Sequence, residues 1–179
     1  MKNTNHSLFD KYEMIKDLGT GSSGSVTLVR HISMDQERAL KKVPKASAFA
    51  ESALSEARLL KSLEHPSIPR IFDFEEDNAF YYIVEEYIDG ETLDSFLLHQ
   101  QLISPGLFFN ICEQLCNVFI YLHTQISTPI IYRDLKPEHI IVCHNKLKLI
   151  DFGVSAYVIQ AGNNFNHYGN IEFSAPECF

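Results

Sequence analysis

The hydrophobic period of this chain changes once, at Asp89-Gly90, and that change limits the fold to a sheet in the first half and helices in the second. Before it, residues 12–18, 25–32, 38–43, 68–75 and 80–87 are rich in Val, Ile, Leu, Tyr and Phe and read as strands. Turn-forming clusters separate them at 19–24, 33–36 and 76–78. One helix interrupts the run, over 48–63, with Leu54, Ala57, Leu60 and Leu63 at three-residue steps, and Pro66 stops it. After Gly90 the spacing predicts a short helix over 92–98. A long helix then opens on Ser104-Pro105, an N-cap followed by proline in the first turn. Its apolar stripe is Leu107, Ile111, Leu115, Val118 and Leu122. Three short apolar pieces follow, at 130–132, 140–143 and 147–150, split by polar loops. The expected class is α+β, with a hinge near 86–90 joining two lobes, and ligands favour the cleft between such lobes.

Composition excludes several functions. Fifteen Lys and Arg against 23 Asp and Glu leave a formal charge of −8, which argues against non-specific nucleic-acid binding. No apolar run approaches the roughly 20 residues of a membrane span, and the polar start Met1-Lys2-Asn3-Thr4-Asn5-His6 carries no signal core. Four cysteines show no framework spacing. Cys112 and Cys116, four apart on the long helix, suggest either a metal pair or two reduced, buried thiols of a cytoplasmic protein, and the second is the expectation.

Three motifs carry chemistry. Gly19-Thr20-Gly21-Ser22-Ser23-Gly24-Ser25-Val26 is a G-x-G-x-x-G-x-V loop, whose glycines admit positive φ and let backbone N–H groups approach a phosphate. A dinucleotide fold uses the same glycines but needs a helix next, whereas Ser25-Val26-Thr27-Leu28-Val29 reads as a strand. Ala39-Leu40-Lys41 lies on the next strand and Glu56 inside the helix; a phosphate-directed lysine needs a carboxylate to hold it. Tyr132-Arg133-Asp134-Leu135-Lys136-Pro137-Glu138-His139 sets an acid, a cation and a potential ligand on one loop. Asp151-Phe152-Gly153 and Ala175-Pro176-Glu177 follow in order.

With these motifs on the page, the chain resembles the eukaryotic-type (Hanks-type) serine/threonine protein kinase family from about Tyr12 to Glu177, and residues 82–90 are similar to its bacterial members. The resemblance implies an N-terminal extension over 1–11, a β-rich N-lobe over 12–86 and a shortened helical C-lobe over 87–179, with ATP between the lobes. It implies that Leu18, Gly19, Thr20, Gly21, Ser22, Ser23, Gly24, Ser25 and Val26 cover the phosphates. Lys41 would pair with the α/β-phosphates and with Glu56. Glu86 and Ile88 would bond the adenine through the backbone, and Val26, Ala39 and Ile141 would sandwich the ring. Leu60, Ile71, Tyr132 and Phe152 would stack as a hydrophobic spine. Asp134 would accept the substrate hydroxyl proton, Lys136 neutralise the γ-phosphate and Asp151 hold Mg²⁺.

The pattern also breaks. His139 stands where the family has an asparagine that binds a second Mg²⁺, and imidazole suits Mn²⁺ or Zn²⁺ better, so weakened Mg²⁺ support or Mn²⁺ dependence is expected. Glu85 precedes the hinge, where it either competes with Glu56 for Lys41 or points away. Gly169-Asn170 replaces the family's Gly-Thr, and the hydroxyls of the segment are Ser155, Tyr157, Tyr168 and Ser174. The sequence ends at Phe179, soon after Ala175-Pro176-Glu177, and Glu177 lacks its family partner arginine; a truncated or minimal kinase that self-associates is the expectation. Two functions stand: a protein kinase, of protein substrates or only of itself, and a nucleotide-binding pseudokinase acting as a regulatory module.

Overall fold

The structure, a computed structural model, describes residues 7–21, 24–99, 103–158 and 172–174. The described residues divide into two units, the first within Met1–Lys61 and Arg70–Tyr87, the second within Ser62–Pro69 and Ile88–Phe179.

The first unit is an antiparallel sheet with a helix against each face. Its strands are β1 (Tyr12–Gly21), β2 (Gly24–His31), β3 (Gln36–Pro44), β4 (Ile71–Glu76) and β5 (Phe80–Glu86), in the order β1-β2-β3-β5-β4. Alternation along the strands sorts two cores. Val29, Leu40, Tyr82 and Val84 bury one face with Tyr12 and with Leu8 of α1 (Leu8–Lys11). Val43 and Ile83 bury the other with Ala53 and Ala57 of α2 (Ala50–Lys61). The small α2 residues let the helix lie close to the sheet. Helix α1 falls in the expected N-terminal extension. Ser7 and Asp10 form a capping box there, Leu8 N–H donates to Glu75 Oε2 at 2.6 Å, and Lys11 pairs with Asp73 at 2.7 Å. This tiny helix is therefore part of the sheet unit.

Glycine matters most at Gly24, whose φ is 139°; a Cβ there would lie 2.1 Å from the Lys42 carbonyl oxygen. That close approach fixes the β2–β3 pairing, in which Ser25 opposes Lys42 and Val26 opposes Lys41.

The second unit holds β6 (Glu91–Thr92), α3 (Leu93–His99) and α4 (Pro105–Ile120). A π-helical turn (Tyr121–Gln125), β7 (Ile130–Ile131) and a 3-10 turn (Pro137–His139) follow, then β8 (Ile140–Cys143), β9 (Lys146–Leu149) and β10 (Ala156–Tyr157). Ser104 caps α4 by accepting the Leu107 N–H, with Pro105 in the first turn. The stripe buries Ile111, Val118 and Leu122, and Leu107 and Leu115 by half. Cys112 and Cys116 are free thiols, and Cys116 is exposed rather than buried because it lies off that stripe. Phe108 and Phe109 are exposed on the same helix.

Strands β8 and β9 form a hairpin whose two-residue turn, His144-Asn145, has φ of 48° and 63°. Left-handed φ at both central residues matches the right-handed twist of paired strands. Gln114 of α4 grips this tip, donating Nε2–H to the Asn145 carbonyl at 2.8 Å and accepting the Leu147 N–H at 3.0 Å.

The segment Ser62–Pro69, within the stretch assigned to the N-lobe from sequence, packs with the second unit instead. Leu149 N–H donates to the Ser67 carbonyl at 2.8 Å, Lys148 Nζ reaches the Ile68 carbonyl at 3.4 Å, and Glu64 N–H donates to the Tyr121 hydroxyl at 2.7 Å. These bonds hold 67–69 out of the sheet, so β4 begins at Ile71 rather than at 68.

Candidate active site

In the second unit the hairpin builds the site. Pairing of Ile140 with Leu149 sets the residues flanking them side by side, and Ile150 N–H donates to the His139 carbonyl at 2.9 Å. The loop ending at His139 and the acid that follows β9, Asp151, thereby meet. Arg133 and Asp151 adopt left-handed backbone, φ 73° and 60°, a conformation that non-glycine residues hold only where surrounding contacts impose it.

Tyr132 and Phe152 supply such contacts. Both are buried; their rings meet edge to face at 5.0 Å, and the Tyr132 hydroxyl donates to the Ile150 carbonyl. The Ser155 hydroxyl donates to the Tyr132 carbonyl at 3.1 Å.

His139 lies between two carboxylates. Its Nδ1 is 3.0 Å from the Asp134 carbonyl oxygen and 3.4 Å from Asp134 Oδ2. Its Nε2 is 3.4 Å from Asp151 Oδ2. Lys136 Nζ is 3.2 Å from Asp134 Oδ2. Asp151 Oδ1 accepts the Gly153 N–H at 3.2 Å. The His139 side chain is 11% exposed and that of Asp151 55%. Asp134 is thus clamped between a lysine and a histidine, while Asp151 offers an open carboxylate beside a buried ring.

This donor set suits a divalent ion that draws its remaining ligands from phosphate oxygens and water. It does not suit one caged by protein alone: among the described residues no group of three or more His, Cys, Asp or Glu is disposed to hold a metal.

In the first unit, Lys41 Nζ is 2.9 Å from Glu56 Oε2, with side chains 22% and 11% exposed. The register sets Val26 and Ile83 opposite Lys41, and Leu28 and Glu85 opposite Ala39. Cross-strand partners share a face, so Val26, Ala39, Lys41 and Glu85 stand on the α2 side of the sheet. Glu85 stands on the face where Lys41 and Glu56 are paired. Glu86 is tied to Arg70 twice: its N–H donates to the Arg70 carbonyl at 2.9 Å, and its Oε2 accepts the Arg70 N–H at 3.3 Å. A cavity of about 300 Å³ behind α2, lined by Leu54, Ala57, Ile71, Phe74 and Tyr81 among others, holds none of the site residues expected from sequence.

Of the glycine loop, Gly19 pairs with Val26 and Gly21 with Gly24 across the β1–β2 hairpin. Only Gly24 of the three has the left-handed φ that the motif was expected to need; a Cβ on Gly19 or Gly21 would meet nothing within 4 Å. Ile141 is half-buried on β8 opposite Lys148 and Thr92, and the Ile88 carbonyl accepts the Gly90 N–H at 3.0 Å. Leu60 is buried, Ile71 half-buried and Leu18 exposed. Ser22, Ser23, Tyr168, Gly169, Asn170 and the Ala175-Pro176-Glu177 motif lie outside the described residues.

The "Protein kinase domain" family model matches residues 12–179. The chain belongs to the protein kinase family. Among curated kinases it is 30% identical over 176 residues to serine/threonine-protein kinase PrkC of Bacillus subtilis, covering 93% of this chain and 26% of that protein. It is 33% identical to calcium-dependent protein kinase 4 of Plasmodium falciparum, covering 99% of the chain and 35% of the relative. It is also 33% identical to cAMP-dependent protein kinase type 3 of Saccharomyces cerevisiae, covering 96% and 43%. The chain thus spans between about a quarter and two fifths of the length of these kinases. Its described residues hold the β-rich sheet unit and the helical unit of the Hanks-type serine/threonine kinase class. No described helix is long and apolar enough to cross a membrane.

Proposed function

We propose that this chain is an ATP-dependent protein phosphotransferase that moves a γ-phosphoryl group to a serine or threonine hydroxyl, on another protein or on itself. The observation that supports it most is the clamp on Asp134. A base must be fixed in place to receive a proton at the instant of transfer. Lys136 at 3.2 Å and His139 at 3.0 and 3.4 Å give Asp134 that fixity.

The chain's residues divide the work by charge. Transfer of a phosphoryl group needs positioning and positive charge more than covalent help. Lys41, held by Glu56, meets the α/β-phosphates. The backbone of Gly19–Val26 covers the phosphates, and Glu86 and Ile88 bond the adenine, with Val26, Ala39 and Ile141 against its ring. Asp134 Oδ2 takes the hydroxyl proton of the acceptor. Lys136, already beside that oxygen, neutralises charge at the γ-phosphate. Asp151, with His139 at its side, holds the divalent ion, which when bound supplies positive charge to the phosphate oxygens. The working lobes are 12–86 and 87–179, with 62–69 packed into the second.

A second reading is favoured by one observation, that a histidine occupies the asparagine position: a nucleotide-binding module without transfer, acting as a regulatory partner. Radiolabelled ATP with Mg²⁺ or Mn²⁺ separates the two, wild type beside Asp134→Ala. Label on protein that disappears in the variant supports the kinase. Nucleotide-induced thermal stabilisation, about 2.7 kcal/mol at a hundredfold excess over Kd, with no label, supports the module and overturns the first reading.

A further inference from the structure

His139 carries more than its place in the motif. A carbonyl oxygen only accepts hydrogen bonds, so the 3.0 Å contact to the Asp134 carbonyl puts the proton on Nδ1. The other ring nitrogen, Nε2, faces Asp151 Oδ2 at 3.4 Å. Nε2 and Oδ2 thus turn toward one shared space, and the Asp151 side chain is 55% exposed, so solvent reaches it. Asp134 has Lys136 as its cation; the contacts of Asp151 are His139 Nε2 and the Gly153 N–H.

The surroundings of that space suit a metal ion. A histidine that ligates metal donates its other N–H to a carbonyl or carboxylate, which fixes the tautomer and the ring plane. His139 has that arrangement complete. Donors about 2.1 Å from one ion stand about 3.0 Å apart at a right angle and about 3.4 Å apart at a tetrahedral angle, so Nε2 and Oδ2 need little or no rearrangement to share an ion. Imidazole nitrogen is a poor ligand for Mg²⁺ and a good one for first-row transition ions.

We infer that His139 Nε2 and Asp151 Oδ2 form a nitrogen–oxygen chelate that selects a transition-metal ion of the Mn²⁺ class over Mg²⁺. This rests on the nucleotide-site reading above, which assigns Asp151 to the metal; what it adds is the ion's identity and the nitrogen that chooses it.

The test uses the whole chain, Mn²⁺ as the spectroscopic probe and a non-hydrolysable ATP analogue. Pulsed EPR is expected to show a directly bound imidazole nitrogen, and ¹⁵N-histidine labelling converts the ¹⁴N coupling to ¹⁵N with no substitution needed. His139→Asn is expected to abolish that coupling and to lower the Mn²⁺-over-Mg²⁺ affinity ratio about tenfold or more. Retention of the coupling in His139→Asn, with loss in His144→Asn, would assign the nitrogen to the hairpin tip and overturn the inference. Analogue-dependent thermal stabilisation by Mn²⁺ without any nitrogen coupling overturns the chelate and leaves the nucleotide site standing. No stabilisation with either metal overturns both.

Discussion

Gly24→Ala is expected to unfold this chain at a much lower temperature, while Gly19→Ala and Gly21→Ala leave its stability intact. The added Cβ at 24 lies 2.1 Å from the Lys42 carbonyl oxygen, 3.1 Å from its carbon and 3.2 Å from Val43 Cα. All three are backbone atoms of β3, so no side chain can swing away, and β2 must retreat by about an ångström to reach normal contact. The left-handed backbone adds about 1–3 kcal/mol for any residue with a Cβ. Weakening the ladder bonds around the Ser25–Lys42 pair adds about 1 kcal/mol each. The sum, about 3–5 kcal/mol, is a large share of a typical stability of about 5–15 kcal/mol. At about 2–4 °C per kcal/mol for a chain of this size, melting falls by about 6–20 °C. At Gly19 and Gly21 an added methyl meets nothing within 4 Å, and alanine at a compatible backbone is neutral or slightly stabilising. Their expected defect is in ligand: nucleotide-induced stabilisation shrinks, because backbone approach to phosphate is what those positions provide. The assay is thermal melting of the three variants with and without ATP analogue. Gly24→Ala melting with the wild type, or Gly19→Ala and Gly21→Ala melting as low as Gly24→Ala, refutes this division of roles.

Three further outcomes are expected. Glu56→Gln removes the charged partner 2.9 Å from Lys41 and is expected to weaken nucleotide binding about tenfold, the equivalent of 1.4 kcal/mol, as read by titration calorimetry; unchanged affinity would show that Lys41 needs no holder. Gln114→Leu strands the part-buried Leu147 N–H, while the exposed Asn145 carbonyl turns to water, and is expected to lower stability by about 1–2 kcal/mol in chemical denaturation. Asp77 accepts the Ala79 and Phe80 N–H groups at 2.7 Å each and the Tyr82 hydroxyl at 2.9 Å, and these donors, Ala79 first, hold its carboxyl below the ordinary value of 3.8. A lowered carboxyl contributes stability that is present above its ordinary value and lost as pH falls through the folded one. Wild type is therefore expected to lose more stability than Asp77→Asn on acidification from about pH 5 to pH 3, and parallel acid melts would contradict this.

Much of the fold was legible because local signals and burial agree. The strands over 12–87 and the Ser104-Pro105 cap follow from period and cap chemistry alone, and both formed. The helix read over 48–63 formed over Ala50–Lys61, with Leu63 buried beyond its end. What escaped is long-range. Nothing local marks Ser67 as the acceptor for Leu149, or Gln114 as the clamp on a hairpin 31 residues away. The capping box of α1, in contrast, is local to Ser7-Leu8-Phe9-Asp10, but aspartate stands where the motif usually has glutamate or glutamine. In the site, the residue types of Lys41, Glu56, Asp134, Lys136 and Asp151 were readable as motif members. That His139 also reaches Asp151 was not, since that contact depends on the β8–β9 register, which appears in no motif.

That register makes the tip of one hairpin a ruler for the chemistry at its base. His144-Asn145 counts out a two-residue loop, and the count decides which residue stands across from Leu149. Inserting or removing one residue there would turn each side chain of β9 to the opposite face and carry Asp151 away from the imidazole, with every acid and base still present in the sequence. The geometry at the base is thus inherited from two exposed polar residues at the far end of the hairpin.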